Sequence, residues 1–276
     1  MKSILILALL ISHVPFLTNG QEKDSSTNNQ TFYSPVSKTY FFKIGNRNIP
    51  VQVTQFGEPN GIVCINLHDN EYTSVNAAMW VLRETGGTLI RIQNKKERLI
   101  KFILKNRKYS FDPNRMFSRV GIKASLERSG RTSEDAIAMV WSFGQRILGL
   151  ISDSISCVIA LHNNTNKAFS VKSYLPGNDH DIDAVEVYHN PEHDEDDFVL
   201  TTDSNLYKEM MQLGYNAILQ DNLNARKDGS LSVYYGEINK SYVNIETEHG
   251  KTSEYARMLK SLLSLLKKAK NNQAYQ

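Results

Sequence analysis

Cysteine is nearly missing from this chain: Cys64 and Cys157 are the only two in 276 residues. Two thiols in so long a chain do not make a disulfide framework, so a packed core has to hold the fold. Both stand in apolar runs, GIVCINL and SCVIAL, and read as buried thiols. An excess of one charge is also missing. Thirty-two Lys and Arg face 29 Asp and Glu, and the net charge of +3 is evenly spread. That removes the electrostatic footprint a nucleic-acid binder needs. Beyond residue 20 no apolar run is long enough to span a bilayer. Internal repeats are absent, and no compositional break marks a second domain. What remains is 41% hydrophobic and 22% charged, the balance of an ordinary globular protein.

The first 20 residues stand apart. Lys2, the apolar block Ile4–Ile11 and the small residues leading to Gly20 have the layout of a secretory signal peptide cleaved after Gly20. The expectation is a secreted or periplasmic protein with no membrane span after signal removal. Residues 21–36 are polar and aperiodic, a flexible leader. Residues 37–270 read as a single α/β domain and 271–276 as a tail.

Tyr40–Ile44 and Ile49–Phe56 flank turn-type residues and predict a hairpin. Ile62–Leu67 predicts a buried strand, Thr73–Glu84 a helix ended by Gly86-Gly87, and Thr88–Gln93 a second strand. That βαβ unit implies parallel pairing. Short strands are expected at Leu99–Leu104 and Lys108–Phe111, a long helix at Thr132–Ser152 and a buried strand at Cys157–Leu161. Further on come a helix at Leu206–Leu213, a strand at Ala217–Gln220, a strand at Leu231–Tyr235, a strand at Ser241–Ile245 and a closing helix over Lys251–Lys270. The expected class is α/β: a mixed, largely parallel twisted sheet flanked by helices.

The chain is organised around Gly61–Glu71, GIVCINLHDNE. A buried strand runs into His68, and Glu71 follows three residues on. The strand Cys157–Leu161 likewise ends in His162, and Ser241–Ile245 delivers Glu246, with Glu248 two residues beyond. In open parallel sheets, sites form at the carboxyl ends of strands. Two imidazoles and a carboxylate with an open fourth position are a catalytic zinc set, and a spare carboxylate can serve as proton acceptor. Strand periodicity alone does not separate Glu246 from Glu248, since positions two apart share a face. The run His189–Asp197, HNPEHDEDD, reads as a solvated acidic loop in preference to a second metal site. Asn163-Asn164-Thr165 is a formal glycosylation sequon beside a candidate ligand.

HDNE at 68–71, DPNRMF at 112–117, LHNNT at 161–165 and IETE at 245–248 occur in an order that resembles the zinc metallocarboxypeptidase superfamily, closest to its aspartoacylase and succinylglutamate desuccinylase branch. The likeness covers ordered motifs over roughly residues 60–250. It implies a zinc-carboxypeptidase-like fold, with zinc on His68, Glu71 and His162 and Glu246 as general base. It also implies Asn114 and Arg115 on a substrate carboxylate, and an oxyanion-stabilising arginine. Arg107 matches the spacing for that arginine, with Arg98 the alternative. The function implied is cleavage of an amide bond next to a free carboxylate, in a peptide or an acyl-amino acid. The alternative is a metal-binding module of the same fold that binds peptide or carbohydrate without catalysis. Pro113 departs from the pattern, and the tyrosine that closes over substrate has no clear counterpart. Tyr234 and Tyr235 are the nearest, more in keeping with core aromatics.

Overall fold

The computed structural model describes residues 32–166 and 169–273. The signal reading of residues 1–20 and most of the leader lie outside them. Pro35 and Val36, assigned to the leader, already belong to the first strand.

In chain order the elements begin with the hairpin β1 (Pro35–Ile44) and β2 (Arg47–Phe56), which turns at Gly45-Asn46. Then come β3 (Ile62–Asn66), α1 (Tyr72–Thr85) and β4 (Gly87–Ile92). A two-stranded ribbon follows, β5 (Ile100–Leu104) and β6 (Arg107–Phe111). One turn of 3-10 helix at Pro113–Arg115 leads to α2 (Arg119–Arg128), α3 (Glu134–Leu148) and β7 (Cys157–Leu161). The chain ends with β8 (Ala184–Tyr188), β9 (Phe198–Thr201), α4 (Ser204–Gln212), β10 (Asn216–Gln220), α5 (Leu231–Glu237), β11 (Tyr242–Glu246) and α6 (Thr252–Gln273).

Nine strands form one sheet in the order β1-β2-β4-β3-β7-β11-β9-β10-β8. Its centre is parallel: β4, β3, β7 and β11 run together. Antiparallel pairing brackets that centre, through β2 on one side and β9 on the other. The fold is thus mixed α/β with a large, partly parallel sheet between helices. Both faces of β3 and β7 are covered, which is why IVCIN and CVIAL read as near-continuous apolar runs. Val63, Ile65, Val158, Ala160 and Tyr242 join the core layer that includes α2, α3 and α5. Cys64, Cys157, Ile159, Val243 and Ile245 join the opposite layer, with α1, α4 and α6. The period of two sends alternate side chains to opposite layers. Cys64 and Cys157 are free thiols, and burial pushes the Cys64 thiol up to about 12.

α1 ends because Gly86, at φ +75°, turns the chain and donates its N–H to the Leu82 carbonyl. A Cβ there would sit 3.2 Å from the Phe56 carbonyl oxygen. α3 starts where the Ser133 hydroxyl accepts the Ala136 N–H, and Gly149 stops it short of the expected Ser152.

One expected element is corrected. Leu231–Tyr235 is helical, not extended. Its alternating β-formers are too few to separate a period of 2 from one of 3.6. Two side chains decide the outcome: the Asn114 Oδ1 accepts the Leu231 N–H at 3.0 Å, and the Ser230 hydroxyl accepts the Val233 N–H. They supply partners for N–H groups that a helix start leaves open. Three elements had no sequence expectation: α2, β8 and β9. α2 buries only Gly121, Ile122, Ser125 and Leu126, a face too thin to show as periodicity.

Candidate metal centre and substrate cavity

His68 lies two residues past the end of β3, His162 directly after β7, and Glu246 closes β11. β7 lies between the other two and pairs in parallel with both, so all three strand ends open on the same edge. The Glu71 N–H donates to the His68 carbonyl, a tight turn that swings the carboxylate back over the imidazole. His68 Nδ1 lies 2.9 Å from Glu71 Oε1, and His162 Nδ1 lies 2.9 Å from Glu71 Oε2. The two Nδ1 atoms are 3.3 Å apart. All three side chains are buried.

This donor set fits a zinc ion. Ligand bonds of ~2.0–2.2 Å in a tetrahedron put donor atoms ~3.3–3.6 Å apart. The spacing here is within a few tenths of an ångström of that. Two ring nitrogens facing each other beside a carboxylate also lack protons enough to satisfy every pair at once.

Asp112 was assigned no role from the sequence, yet its Oδ1 lies 2.7 Å from His68 Nε2. A carboxylate on the far nitrogen fixes the ring and leaves Nδ1 for the metal. The signal was present in the DPNRMF motif, whose first residue went unassigned. Burial alone would lower the His68 pKa, but the Glu71 and Asp112 carboxylates outweigh it and lift it to about 9. Burial disfavours the charged forms of Glu71 and Asp112. The imidazoles around Glu71, and His68 with Arg98 beside Asp112, overcome that and hold both carboxyls well below the usual range.

A cavity of about 420 Å³ opens from this centre. Glu71, His162 and Glu246 line it, as do Asn114, Arg115 and Arg98. Tyr242, Asn244 and Glu246 all reach it from β11, as the period of two requires. Glu246 accepts a hydrogen bond from Asn244 Nδ2 at 3.2 Å, and burial raises its pKa to about 7. Glu248 lies past the strand end and does not line the cavity. Its carboxylate meets Lys251 at 3.5 Å.

Asn114 and Arg115 sit on the 3-10 turn. The Asp112 carboxylate caps it by accepting the Asn114 N–H, and Pro113 takes the first helical position. The unexpected proline is thus a natural start for that turn. Arg115 Nη1 donates to the Asn114 carbonyl at 2.7 Å, and Nη2 lies 3.3 Å from Asp228 Oδ2.

Arg107 is corrected. It is exposed at the tip of the β5–β6 ribbon, paired in register with Leu104, and lines no part of the cavity. Strand rise explains the error: four steps of ~3.3 Å along β6 carry Arg107 ~13 Å from Phe111. Arg98 is the arginine at the site, with Nη1 2.7 Å from Glu71 Oε1 and Nη2 3.3 Å from Asp112 Oδ2. Buried Asp69 shapes the loop that carries it, accepting from the Asn94 and Lys96 N–H groups at 2.7 and 2.8 Å.

The remaining sequence features resolve as follows. Asn163 is buried, its Oδ1 accepting the Ser74 N–H and its Nδ2 donating to the Thr247 carbonyl, so the folded protein leaves no room for a glycan on it. In the acidic run, Asp194 and Asp197 surround the Lys251 ammonium at 2.6 and 3.5 Å. Tyr235 stacks on Tyr242, and Tyr234 packs against Phe117 and Tyr235. Neither Tyr234 nor Tyr235 lines the cavity.

No protein-family profile matches the chain, and no curated protein matches it. Among solved structures it is similar to an aspartoacylase-family protein from Mesorhizobium loti, with 12% identity and a TM-score of 0.42 over 86% of this chain and 68% of that one. It is also similar to the murein-tripeptide amidase MpaA from Escherichia coli O157, with 13% identity and a TM-score of 0.45 over 85% and 92%. A third is thrombin activatable fibrinolysis inhibitor, with 13% identity and a TM-score of 0.44 over 82% and 68%. The functional reading rests on the side chains of the site.

Proposed function

We propose that the chain is a secreted zinc-dependent hydrolase that cleaves an amide bond next to a free carboxylate, in a peptide or an acyl-amino acid. The observation that carries this reading is the convergence of buried His68 Nδ1, His162 Nδ1 and the Glu71 carboxylate beside a cavity that is also lined by Glu246, Arg98 and Arg115. His68, Glu71 and His162 would hold zinc, which when bound supplies a Lewis acid toward water and the scissile carbonyl. Asp112 orients His68. Glu246 takes a proton from the attacking water and hands it to the leaving amine. Arg98 donates to the carbonyl oxygen as charge builds on it. Arg115, with Asn114, grips the free carboxylate.

The test is turnover of a panel of peptides and N-acyl-amino acids by the zinc-loaded protein, with and without chelator. Chelator-sensitive release of a terminal amino acid supports the reading. A protein that binds zinc and releases nothing from any member of the panel is the non-catalytic module instead.

Two results follow for the arginines. Arg115→Lys keeps the charge but loses the planar fork, and KM for free-carboxylate substrates should rise about tenfold or more. An unchanged KM removes Arg115 as the anchor. Arg98→Ala should lower kcat by ~10²-fold or more, the scale of a lost oxyanion donor. Arg107→Ala, on an exposed ribbon tip, should leave kcat within about twofold. Steady-state kinetics on the two variants decide between them, and the reverse ranking would return the role to Arg107.

A further inference from the structure

The acidic run His189–Asp197 is less solvated than its composition suggests. Its last two residues are buried: Asp196 is 1% exposed and Asp197 7%. The run lies between β8 and β9, and bonds that do not involve its charges tie its backbone down. Asn216 Nδ2 donates to the Asp194 and Asp197 carbonyls at 2.7 and 3.0 Å. The Val171 N–H donates to the Glu195 carbonyl at 2.9 Å, and Asn164 Nδ2 to the Asp196 carbonyl at 2.7 Å. The backbone thus holds these carboxylates together against their mutual repulsion. Carboxylate oxygens of Asp194, Asp196 and Glu248 all lie within 4.8 Å of one another. None of the three residues lines the substrate cavity.

Lys251 is the cation that meets them, and it does not reach every oxygen. The Lys251 N–H closes a turn on the Glu248 carbonyl, which swings the ammonium back to 2.6 Å from Asp194 Oδ2. It stays 3.5 Å from Asp197 Oδ2 and from Glu248 Oε2, long for a hydrogen bond. The other oxygens of those two, Asp197 Oδ1 and Glu248 Oε1, are buried and accept no hydrogen bond among the described residues. The same holds for Asn164 Oδ1. Asp197 is therefore a carboxylate more than nine-tenths buried that faces the cluster's ammonium through one oxygen and is unanswered at the other. Buried oxygens normally have a partner. Burial raises the Asp197 pKa to about 6 in spite of Lys251, so the ammonium does not offset what burial costs this carboxylate.

We propose that Asp194, Asp196 and Glu248, with Asp197 beside them, bind a calcium ion, and that Lys251 swings out to solvent as the ion enters. The Lys251 side chain is already 28% exposed. The donors are all oxygens and mostly charged, the set of a hard cation and not of zinc. Calcium–oxygen bonds of ~2.3–2.6 Å put opposite ligands ~4.6–5.2 Å apart, so oxygens within 4.8 Å of one another can share one ion. Asn164 bridges to Glu248, its N–H donating to the Thr247 carbonyl and its carbonyl accepting the His249 N–H. The ion would pin the run 194–197 to backbone that directly follows His162 and Glu246, bracing two of the strand ends at the other centre. The site does not depend on the hydrolase reading.

The experiment is calorimetric titration of calcium chloride into the zinc-loaded protein at about 0.15 M KCl. Calcium should bind with a Kd of about 10⁻⁴–10⁻³ M, the range of extracellular sites, and magnesium at least about tenfold more weakly, since it demands a near-ideal octahedron. Lys251→Met removes the competing ammonium and should tighten calcium binding about tenfold or more. Asp194→Asn keeps the Oδ1 acceptor for the Asp196 N–H, and combined with Glu248→Gln it should abolish calcium binding. Glu248→Gln alone, weaker by at least about tenfold, serves if the pair does not fold. The proposal is overturned by no calcium binding up to about 10 mM, by magnesium binding as tightly, by binding that survives the acidic variants, or by a Lys251→Met affinity no tighter than wild type. None of these readouts needs turnover, so failure here leaves the hydrolase reading standing, and failure of that reading leaves the calcium site standing.

Discussion

Glu246→Gln should lower kcat by at least ~10²–10⁴-fold, the range of a lost general base, while fold and metal content stay those of the wild type. Glu246 lines the cavity beside His162 and Glu71 but belongs to neither of their bonds; its hydrogen-bond partner among the described residues is Asn244. Removing its charge leaves the His68–Glu71–His162 set intact. Burial raises its pKa from 4.5 to about 7 in the metal-free protein, close to the pH at which a proton has to be both taken and returned. A sign follows for stability. The folded state holds this proton more tightly than the unfolded chain does. The contribution is therefore complete below pH ~4.5 and lost as pH rises through ~7. Thermal melts of the metal-free protein should show that loss, and Glu246→Gln should lack it. Glu248→Gln should cost far less activity, since that carboxylate is turned to Lys251. Normal turnover by Glu246→Gln, or a larger loss in Glu248→Gln, would sink the assignment.

How much of this was legible in the sequence depended on how local the cause was. His68, His162 and Glu246 stood out because a buried strand is a short apolar run and its end is abrupt. The backbone does the placing, and parallel pairing of β3, β7 and β11 brings the three ends together. Glu71 was legible through its offset of three from His68. Arg98 and Asp112 depend on tertiary geometry instead. Arg98 reaches the site because Asp69, 29 residues before Arg98, bends the 94–98 loop toward it. No spacing rule contains that. Arg107 was preferred on spacing to Arg115, and a ribbon the sequence itself predicted carried it away. Leu231–Tyr235 shows the same limit in the backbone. Its residue types favour a strand, and its helix depends on Asn114, 117 positions away.

His162→Ala should lower zinc affinity by well over the ~10–100-fold that loss of an outer-shell partner costs. It removes one of three protein donors, and the other imidazole that lines the cavity, His180, is engaged by Asp183 and Arg226. Asp112→Asn should fall inside the 10–100-fold range, since it leaves all three donors and loosens only the orientation of His68. The order of the two effects separates ligand from support, and equal losses would contradict the geometry. Protons give a second readout. In the metal-free protein His68 is held protonated at neutral pH, its pKa raised to about 9 once Glu71 and Asp112 have outweighed burial. A metal ligand has to be deprotonated. Zinc uptake at pH 7 should therefore release about one proton from His68, and affinity should rise with pH until ~9, where the proton is already gone. Calorimetry in buffers of different ionisation enthalpy measures that release directly. Asp112→Asn takes away one of the two carboxylates that hold the proton, so it should release less at pH 7. Uptake with no proton release in the wild type would mean that His68 is neutral before the metal arrives.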